Sequence, residues 1–431
     1  MQAFVEPRRE ILATQRHRRS RAVMAGLWVA LLCALAAFVE SFVLGGVIFP
    51  IVVASRSMTP ALLGPVRAWT CTSCSQEFVC SLDSLPEPPL GVHCPNCQAA
   101  AALEAGRDRP GKRVFVDRAA AWFRPISRWE AIVYRDREDP YPRCVKRVVG
   151  LPGETIEIAG GKVRADGQVA KKNLDQFRHV AVRVHGPTID AQSWNRGETQ
   201  HWRVASGHAQ FAAQLADDPL PIEWLTYQHR QNGNVSNATS ILDESPLDQA
   251  ESRLLNPVHD LLLACRARVR GPGQLCLRVA CGHGDLMATL APQLGTGRFT
   301  RDGATVGDFM VSPAAFARET RIELAIVDGR AMLSVAGDKI FTADFDSQSD
   351  SSGAPAPVLA VGARNVEVDI SELSVLRDIF YTPAPSGRPA KVKLGPDEYY
   401  VLGDNSPHAI DTRSGLSPIK KDQILGIARW W

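Results

Sequence analysis

The sequence predicts a mainly β protein that carries one N-terminal transmembrane helix. Strands are indicated by many short segments in which apolar and polar residues alternate, separated by glycine and proline turns. The helix is indicated by an uncharged apolar run from Ala22 to Val39. Five of the ten cysteines fall within residues 71–97, which indicates a small insertion built around them. At 431 residues the chain is long enough for two or three packed domains.

The N-terminal segment has the charge pattern of a membrane anchor. Residues 1–21 are rich in arginine and poor in acidic residues, and a flank of this kind stays in the cytoplasm. We therefore expect a basic cytoplasmic N-terminus at 1–21 and a single span at 22–45. A cleaved signal peptide is the alternative, but its apolar region is shorter than this one. The prediction is a single-pass protein of the cell inner membrane, with everything after the span on the extracytoplasmic side.

A candidate nucleophile follows the apolar stretch directly. Residues 55–60 read Ser-Arg-Ser-Met-Thr-Pro. A serine hydroxyl needs a neighbouring base, which is either a histidine or a lysine kept neutral by burial. Lys146 lies in the apolar run Cys144–Gly150, which has the pattern of a strand entering a turn. Because a buried lysine loses its proton readily, Lys146 is the candidate base.

Four of the clustered cysteines have the spacing of a zinc ribbon at residues 67–100. Cys71 and Cys74 form one Cys-x2-Cys pair, and Cys94 and Cys97 form a second pair after nineteen intervening residues. Four thiolates close a tetrahedral site, so the metal would be structural. Two disulfide bonds are the alternative, because the segment is expected in an oxidising compartment. Cys80 and His93 are possible substitute ligands.

Strand-like segments near the two ends of the chain have a similar residue pattern. In the first block they include 114–117 and 129–134, and in the last block 399–402 runs into a glycine turn. Residues 46–171 and 383–431 are therefore expected to form one β domain.

The interval 172–382 is predicted to be a β-sandwich insertion. It consists of short strands and turns without helical periodicity, and 327–330 and 336–338 are hairpin signals. The chain contains 49 basic and 46 acidic residues, a balance that gives no support for a nucleic-acid partner.

The motifs in their order resemble those of a known family. They are Ser55-Arg56-Ser57-Met58-Thr59-Pro60 after the apolar run, the segments 111–116 and 129–134, the run Lys146 to Glu154, and Gly403-Asp404-Asn405 followed by Asp411 and Arg413. This set resembles the type I signal peptidases, S26-family Ser-Lys endopeptidases that are bound to the membrane and remove signal peptides. The two insertions resemble those of a planctomycete-like form of the family.

The resemblance implies a signal-peptidase-type β catalytic core and a role for each matching residue. Ser57 would be the nucleophile and Lys146 the general base, with the Ser57 N–H and the Ser55 hydroxyl as the oxyanion hole. Residues that support the active site would be Met58, Pro60, Arg147, Gly403, Asp404, Asp411 and Arg413. The substrates would be secretory preproteins presented at the membrane, and catalysis would need no cofactor, with a structural zinc ion possible at the ribbon.

Two positions depart from the family pattern. The family commonly has a proline where Ala54 stands and a serine or threonine where Ala409 stands, and that hydroxyl usually hydrogen-bonds the lysine. Ser406, Thr412 or a water molecule is a candidate substitute. If none replaces it, activity would be reduced or lost.

The insertion supports a second hypothesis from another class. Its last strands resemble concanavalin-like or laminin-G-like sandwiches, which implies a carbohydrate or protein ligand. Trp194, Trp202 and Trp224 would either stack on a sugar ring or belong to the core. The alternative function is a membrane-tethered scaffold in which the peptidase core has degenerated and the sandwich binds a ligand.

Overall fold

The computed structural model describes most of the chain. The described residues are 6–40, 46–87, 91–136, 143–205, 207–213, 221–230, 239–245, 247–249, 253–345, 357–387 and 390–430. Residues 41–45 of the predicted anchor lie outside them.

Three α-helices occur in this part of the chain: α1 (Glu6–Val39), α2 (Arg118–Phe123) and α3 (Leu174–Val180). Among the described residues, no helix is both long and apolar enough to cross a membrane. The span at 22–45 stays a prediction.

Helix α3 corrects the expectation that the interval 172–382 has no helix. Its Asn173 side chain accepts from the Gln176 N–H and the Gln176 side chain accepts from the Asn173 N–H, a reciprocal capping box. Leu174, Phe177 and Val180 are buried on one face. Seven residues are too few for this spacing to stand out as a helical period in the sequence.

The mainly β prediction is confirmed. The strands before the central segment are β1 (Ile48–Val52), β2 (Val66–Thr70), β3 (Glu77–Ser81), β4 (Val92–His93), β5 (Ala100–Ala101), β6 (Arg107–Arg109), β7 (Arg113–Asp117), β8 (Ala131–Tyr134), β9 (Cys144–Gly150), β10 (Thr155–Ala159), β11 (Lys162–Ala165) and β12 (Gln168–Val169). The central strands are β13 (Val182–His185), β14 (Trp194–Asn195), β15 (Trp202–Ala205), β16 (His208–Ala212), β17 (Glu223–Tyr227), β18 (Leu261–Arg270), β19 (Gln274–Cys281), β20 (Gly284–Ala291), β21 (Thr296–Arg301), β22 (Ala304–Met310), β23 (Thr320–Val327), β24 (Arg330–Val335), β25 (Asp338–Asp344), β26 (Val358–Arg364) and β27 (Glu367–Arg377). The last strands are β28 (Lys391–Lys393), β29 (Glu398–Leu402), β30 (Ile419–Lys420) and β31 (Ile424–Arg429).

One seven-stranded sheet joins the two ends of the chain. Its order is β1-β7-β31-β8-β9-β29-β30, so β31 lies between two early strands and β29 pairs with β9. A smaller sheet, β12-β11-β10-β28, also combines early and late strands. This pairing places Lys146 of β9 directly beside the strand that leads into Gly403.

The central segment forms two facing sheets. Their orders are β15-β16-β27-β18-β23-β24-β25, with β13 also paired to β27, and β14-β17-β26-β19-β20-β21-β22. Apolar residues from both sheets form one buried cluster that includes Trp194 and Trp202. The predicted hairpin at 327–330 is confirmed by the Val327–Arg330 pairing, and the one at 336–338 by the Val335–Asp338 pairing. The domain boundaries stay a prediction.

The central sheets pack directly on the seven-stranded sheet. Leu262, Ala325 and Met332 of the central segment share a buried apolar cluster with Tyr400 and Leu402. The contact between the central sheets and the seven-stranded sheet is therefore largely hydrophobic.

Buried lysine and aspartate side chains lie near this apolar cluster. Lys172 Nζ lies 3.0 Å from Asp328 and 2.7 Å from Asp378, and Lys162 pairs with Asp260. Asp260 and Asp328 are therefore buried carboxylates held by lysines. The two lysines offset two of the three negative charges, and we interpret these buried ion pairs as structural.

Candidate active site

The nucleophile loop, residues 55–62, connects β1 to the cysteine-rich segment and is fixed at both ends. The Val53 N–H donates to the Lys112 carbonyl at 3.0 Å, and the Lys112 N–H donates to the Leu63 carbonyl at 2.8 Å. A Cβ atom at Gly111 would lie 1.8 Å from the Val53 carbonyl oxygen, so this approach requires glycine. Met58 is buried in the apolar cluster that contains Val114 and Val133, which anchors the turn.

Two hydroxyls face each other in this loop. The Oγ atoms of Ser55 and Ser57 are 3.2 Å apart. Ser55 is exposed and Ser57 is half-buried. Pro60 follows in the same loop and lines a small cavity with Thr59 and Asn405.

Lys146 is buried in the middle of the seven-stranded sheet. It lies opposite Ile132 on β8, and 5% of its surface is exposed. Burial lowers the pKa of the Lys146 ammonium, while the negative charges of Asp411 and Asp404 act against this shift. The net effect favours the neutral amine that a general base must be.

The nucleophile loop and Lys146 meet at Gly403. A Cβ atom at Gly403 would lie 2.5 Å from the Ser57 carbonyl oxygen, 3.5 Å from Lys146 Nζ and 2.3 Å from the Ala409 Cβ atom. The Asn405 N–H, two residues later, donates to the same Ser57 carbonyl at 3.1 Å. The fold therefore brings together two residues that are 89 positions apart in the sequence.

Buried ion pairs brace the chain on both sides of Gly403. Arg147 binds Asp404 with two hydrogen bonds, of 2.6 and 2.5 Å, and also donates to the Trp129 carbonyl at 2.6 Å. Asp411 accepts from the Gly403 N–H at 3.1 Å and from Arg413 Nη2 at 3.0 Å. These four charged residues thus hold the backbone around the lysine.

Ala409 and Lys146 both approach Gly403: a Cβ atom there would lie 2.3 Å from the Ala409 Cβ atom and 3.5 Å from Lys146 Nζ. Both hydroxyls suggested as substitutes have other partners. Ser406 Oγ accepts from the Thr382 N–H at 2.9 Å and bonds to Arg413, and Thr412 Oγ accepts from the Val401 N–H at 3.2 Å. The departure at Ala409 is therefore not compensated by either of these side chains in the arrangement described.

Two residues in this region were not identified as site residues in the sequence. Asn405 Nδ2 lies 3.0 Å from Thr59 Oγ1 and 2.9 Å from the Asp248 carboxylate. Asp248 also accepts from Arg56 at 3.2 Å. Asn405 is part of the Gly403-Asp404-Asn405 motif, which was a usable signal, but Asp248 lies in the central segment and belongs to no motif.

The four predicted zinc ligands converge at one point. The Sγ atoms of Cys71 and Cys97 are 3.5 Å apart, and those of Cys74 and Cys94 are 3.7 Å apart. Tetrahedral coordination with metal–sulfur bonds of about 2.3 Å places sulfurs about 3.8 Å apart. The donor set therefore fits a zinc ion. Cys80 bonds to the Leu247 carbonyl instead, and His93 is exposed.

Two sequence comparisons bear on the identity of the protein. Residues 106–211 match the family model described as signal peptidase, peptidase S26. This match contains Lys146 but neither Ser57 nor Gly403, and it extends past the predicted domain boundary at residue 171. The chain is also similar to Signal peptidase I of Leptolyngbya laminosa, with 35% identity over 71 residues, which is 15% of this chain and 35% of that protein. It thus spans about a third of the relative that it matches. Together the two matches support a signal peptidase of the S26 type.

Comparison with solved structures gives low scores. The carbohydrate binding module CBM66 from Bacillus subtilis is 8% identical, covers 42% of this chain and 94% of its own, and has a TM-score of 0.27. The polysaccharide lyase family-7 alginate lyase A1-II' is 13% identical, covers 42% of this chain and 85% of its own, and has a TM-score of 0.28. Scores at this level do not establish a shared fold, so the resemblance of the sandwich stays a prediction.

Proposed function

We propose that the protein is a membrane-bound serine endopeptidase that removes N-terminal signal peptides from translocated preproteins by a Ser57–Lys146 dyad. The observation that carries this proposal is the convergence of the nucleophile loop and the buried amine of Lys146 at Gly403. The S26 match over the lysine strand supports it independently.

The first half of the reaction forms an acyl-enzyme. Ser57 Oγ attacks the scissile carbonyl carbon as Lys146 Nζ takes the hydroxyl proton. The C–N bond then breaks, and the lysine returns that proton to the leaving amine, which becomes the new N-terminus of the mature protein. The C-terminal residue of the signal peptide remains as an ester on Ser57.

The second half uses the same base on water. Lys146 takes a proton from a water molecule, whose oxygen attacks the ester carbonyl. The Ser57–carbonyl bond breaks, the serine recovers its proton, and the signal peptide leaves with a free carboxylate. In both halves the oxyanion is bound by the Ser57 N–H and the Ser55 hydroxyl, a type of contact typically worth about 3 kcal/mol per donor. The 3.2 Å separation of the two Oγ atoms supports this role for Ser55.

The surrounding residues would serve the dyad by position and charge. Asp404, Asp411 and their arginine partners hold the Gly403 backbone, and burial lowers the pKa of Lys146, which favours its neutral form. The zinc ion, when bound by Cys71, Cys74, Cys94 and Cys97, would stabilise the ribbon and take no part in the chemistry.

The proposed membrane anchor at 22–45 would hold the enzyme in the same membrane as its substrate. A signal peptide is apolar and lies in the bilayer, so anchoring both partners raises their effective concentration.

The scaffold remains the second candidate function, and Ala409 beside the lysine is the observation that favours it. Of the three tryptophans considered as glycan platforms, Trp194 and Trp202 are buried in the core. Trp224 is half-buried, and the Arg278 guanidinium lies over its ring at 5.8 Å from the centroid. A carbohydrate or protein ligand of the sandwich would therefore use Trp224 rather than the other two.

Cleavage of a preprotein separates the two functions. Purified full-length protein in detergent would be incubated with a preprotein, and the new N-terminus would be identified by mass spectrometry. We expect a single cut after the signal peptide, and no cut with Ser57→Ala or Lys146→Ala. A folded wild-type protein that leaves the preprotein intact would support the scaffold instead.

A further inference from the structure

A short segment of the central insertion lies against the nucleophile loop. This segment is residues 247–249, and the Asp248 side chain is fully buried. Its carboxylate has partners from three separate parts of the chain. It lies 3.2 Å from Arg56 Nη1, 2.9 Å from Asn405 Nδ2 and 2.8 Å from Ser84 Oγ.

Arg56 is the residue between the two hydroxyls of the proposed site. Its carbonyl accepts from the Thr59 N–H at 3.0 Å, from Thr59 Oγ1 at 2.8 Å and from Asn405 Nδ2 at 3.3 Å. Its guanidinium is held by Asp248. The backbone of Arg56 and its side chain are thus fixed by different contacts, and Ser55 and Ser57 flank it in the sequence.

The cysteine ribbon holds the other side of this segment. The Leu247 carbonyl accepts from the Ser81 N–H at 2.8 Å and from Cys80 Sγ at 3.1 Å. The Gln249 side chain accepts from the His93 N–H at 2.7 Å and donates to the His93 carbonyl at 2.8 Å. Asp248 therefore lies on a segment that is anchored to the ribbon and reaches the nucleophile loop.

We propose that Asp248 is a positioning residue that sets the geometry of Ser55 and Ser57 through Arg56 and Asn405. The proposal rests on the proposed function and deepens it, because it assigns part of the central insertion to the catalytic centre. Loss of the carboxylate would leave the Arg56 charge and an Asn405 N–H without this acceptor. The loop would then hold its two hydroxyls less accurately, and misplacement by about 1 Å can cost about 100-fold in rate.

The test compares Asp248→Ala and Asp248→Glu with Asp243→Asn. Asp243 is a matched control because it is also a buried carboxylate that accepts from an arginine and an asparagine, here Arg253 and Asn256 of the insertion itself. For Asp248→Ala we expect a 10- to 100-fold lower kcat with little change in KM. Asp248→Glu should recover part of the loss, and Asp243→Asn should retain the wild-type kcat.

Hydrogen exchange of residues 55–62 gives a readout that does not depend on cleavage. In Asp248→Ala we expect faster exchange at the Thr59 and Leu62 amides, with the Lys146 strand unchanged. If wild type cleaves and Asp248→Ala keeps both the wild-type kcat and the wild-type exchange, the positioning role is wrong. If wild type does not cleave, the proposed function fails, while the exchange result still decides whether Asp248 holds the loop.

Discussion

The Nζ atom of Lys146 and the carbonyl oxygen of Ser57 both lie within 3.5 Å of the point that a Cβ atom of Gly403 would occupy. Three motifs that are far apart in the sequence therefore share one small volume. The Lys146 amine is buried and its pKa is lowered, and on this observation we base the proposed Ser57–Lys146 dyad.

Gly403→Ala should abolish most of the activity. The new methyl group would collide with the Ser57 carbonyl and the Ala409 Cβ atom, so the nucleophile loop or the backbone at Ala409 must move. We expect kcat/KM for preprotein cleavage to fall by about 100-fold or more. Gly26→Ala is the control, because a Cβ atom there meets nothing within 4 Å. Wild-type activity in Gly403→Ala would show that this close approach is not needed.

The pH profile should report the titration of Lys146. Its neutral form is the active one, so kcat/KM should rise with pH and reach a plateau below the ordinary lysine pKa of 10.5, because burial lowers the pKa. Asp411 favours the charged form. Asp411→Asn should therefore shift the rising limb to lower pH, whatever it does to the maximal rate. A limb that moves to higher pH in this variant would contradict the assignment of Lys146 as the base.

Ala409→Ser should increase activity. Because Ala409 and Lys146 Nζ both approach Gly403, we expect the added hydroxyl to supply an orienting hydrogen bond to the lysine, worth about 1 kcal/mol. We expect kcat to rise by about three- to tenfold in the preprotein assay. Ala409→Val is the control that adds bulk without a hydroxyl and should lower kcat. An equal loss of kcat in both variants would mean that the space around position 409 accepts no residue larger than alanine.

The cysteine cluster should bind one zinc ion per chain. The sulfur separations of 3.5 and 3.7 Å match tetrahedral coordination, so metal analysis should find zinc that a chelator removes under denaturing conditions. After that treatment all ten cysteines should react with an alkylating reagent without reduction. Four unreactive cysteines and no metal would establish the two disulfide bonds instead.

Local patterns predicted the local features of this protein. The four-cysteine cluster, the hairpins at 327–330 and 336–338 and the buried strand of Lys146 depend on residues close in sequence, and the structure contains each of them. Helix α3 was missed because seven residues do not establish a period.

Features that depend on distant partners were not predicted. The burial of Asp260 and Asp328 depends on pairing with Lys162 and Lys172, which lie far away from them in the sequence. Asp248 belongs to no sequence motif, and its proposed role depends on contacts with Arg56 and Asn405, which lie far away in the sequence. Tertiary contact, rather than local propensity, decides the environment of these carboxylates.

The most direct test of the dyad is a double-mutant cycle on preprotein cleavage with Ser57→Ala, Lys146→Ala and the double variant. If the two residues act as one unit, each single variant should lose nearly all of the wild-type kcat/KM, and the double variant should be no slower than either. A single variant that retains the wild-type rate, or losses that multiply in the double variant, would contradict the Ser57–Lys146 dyad.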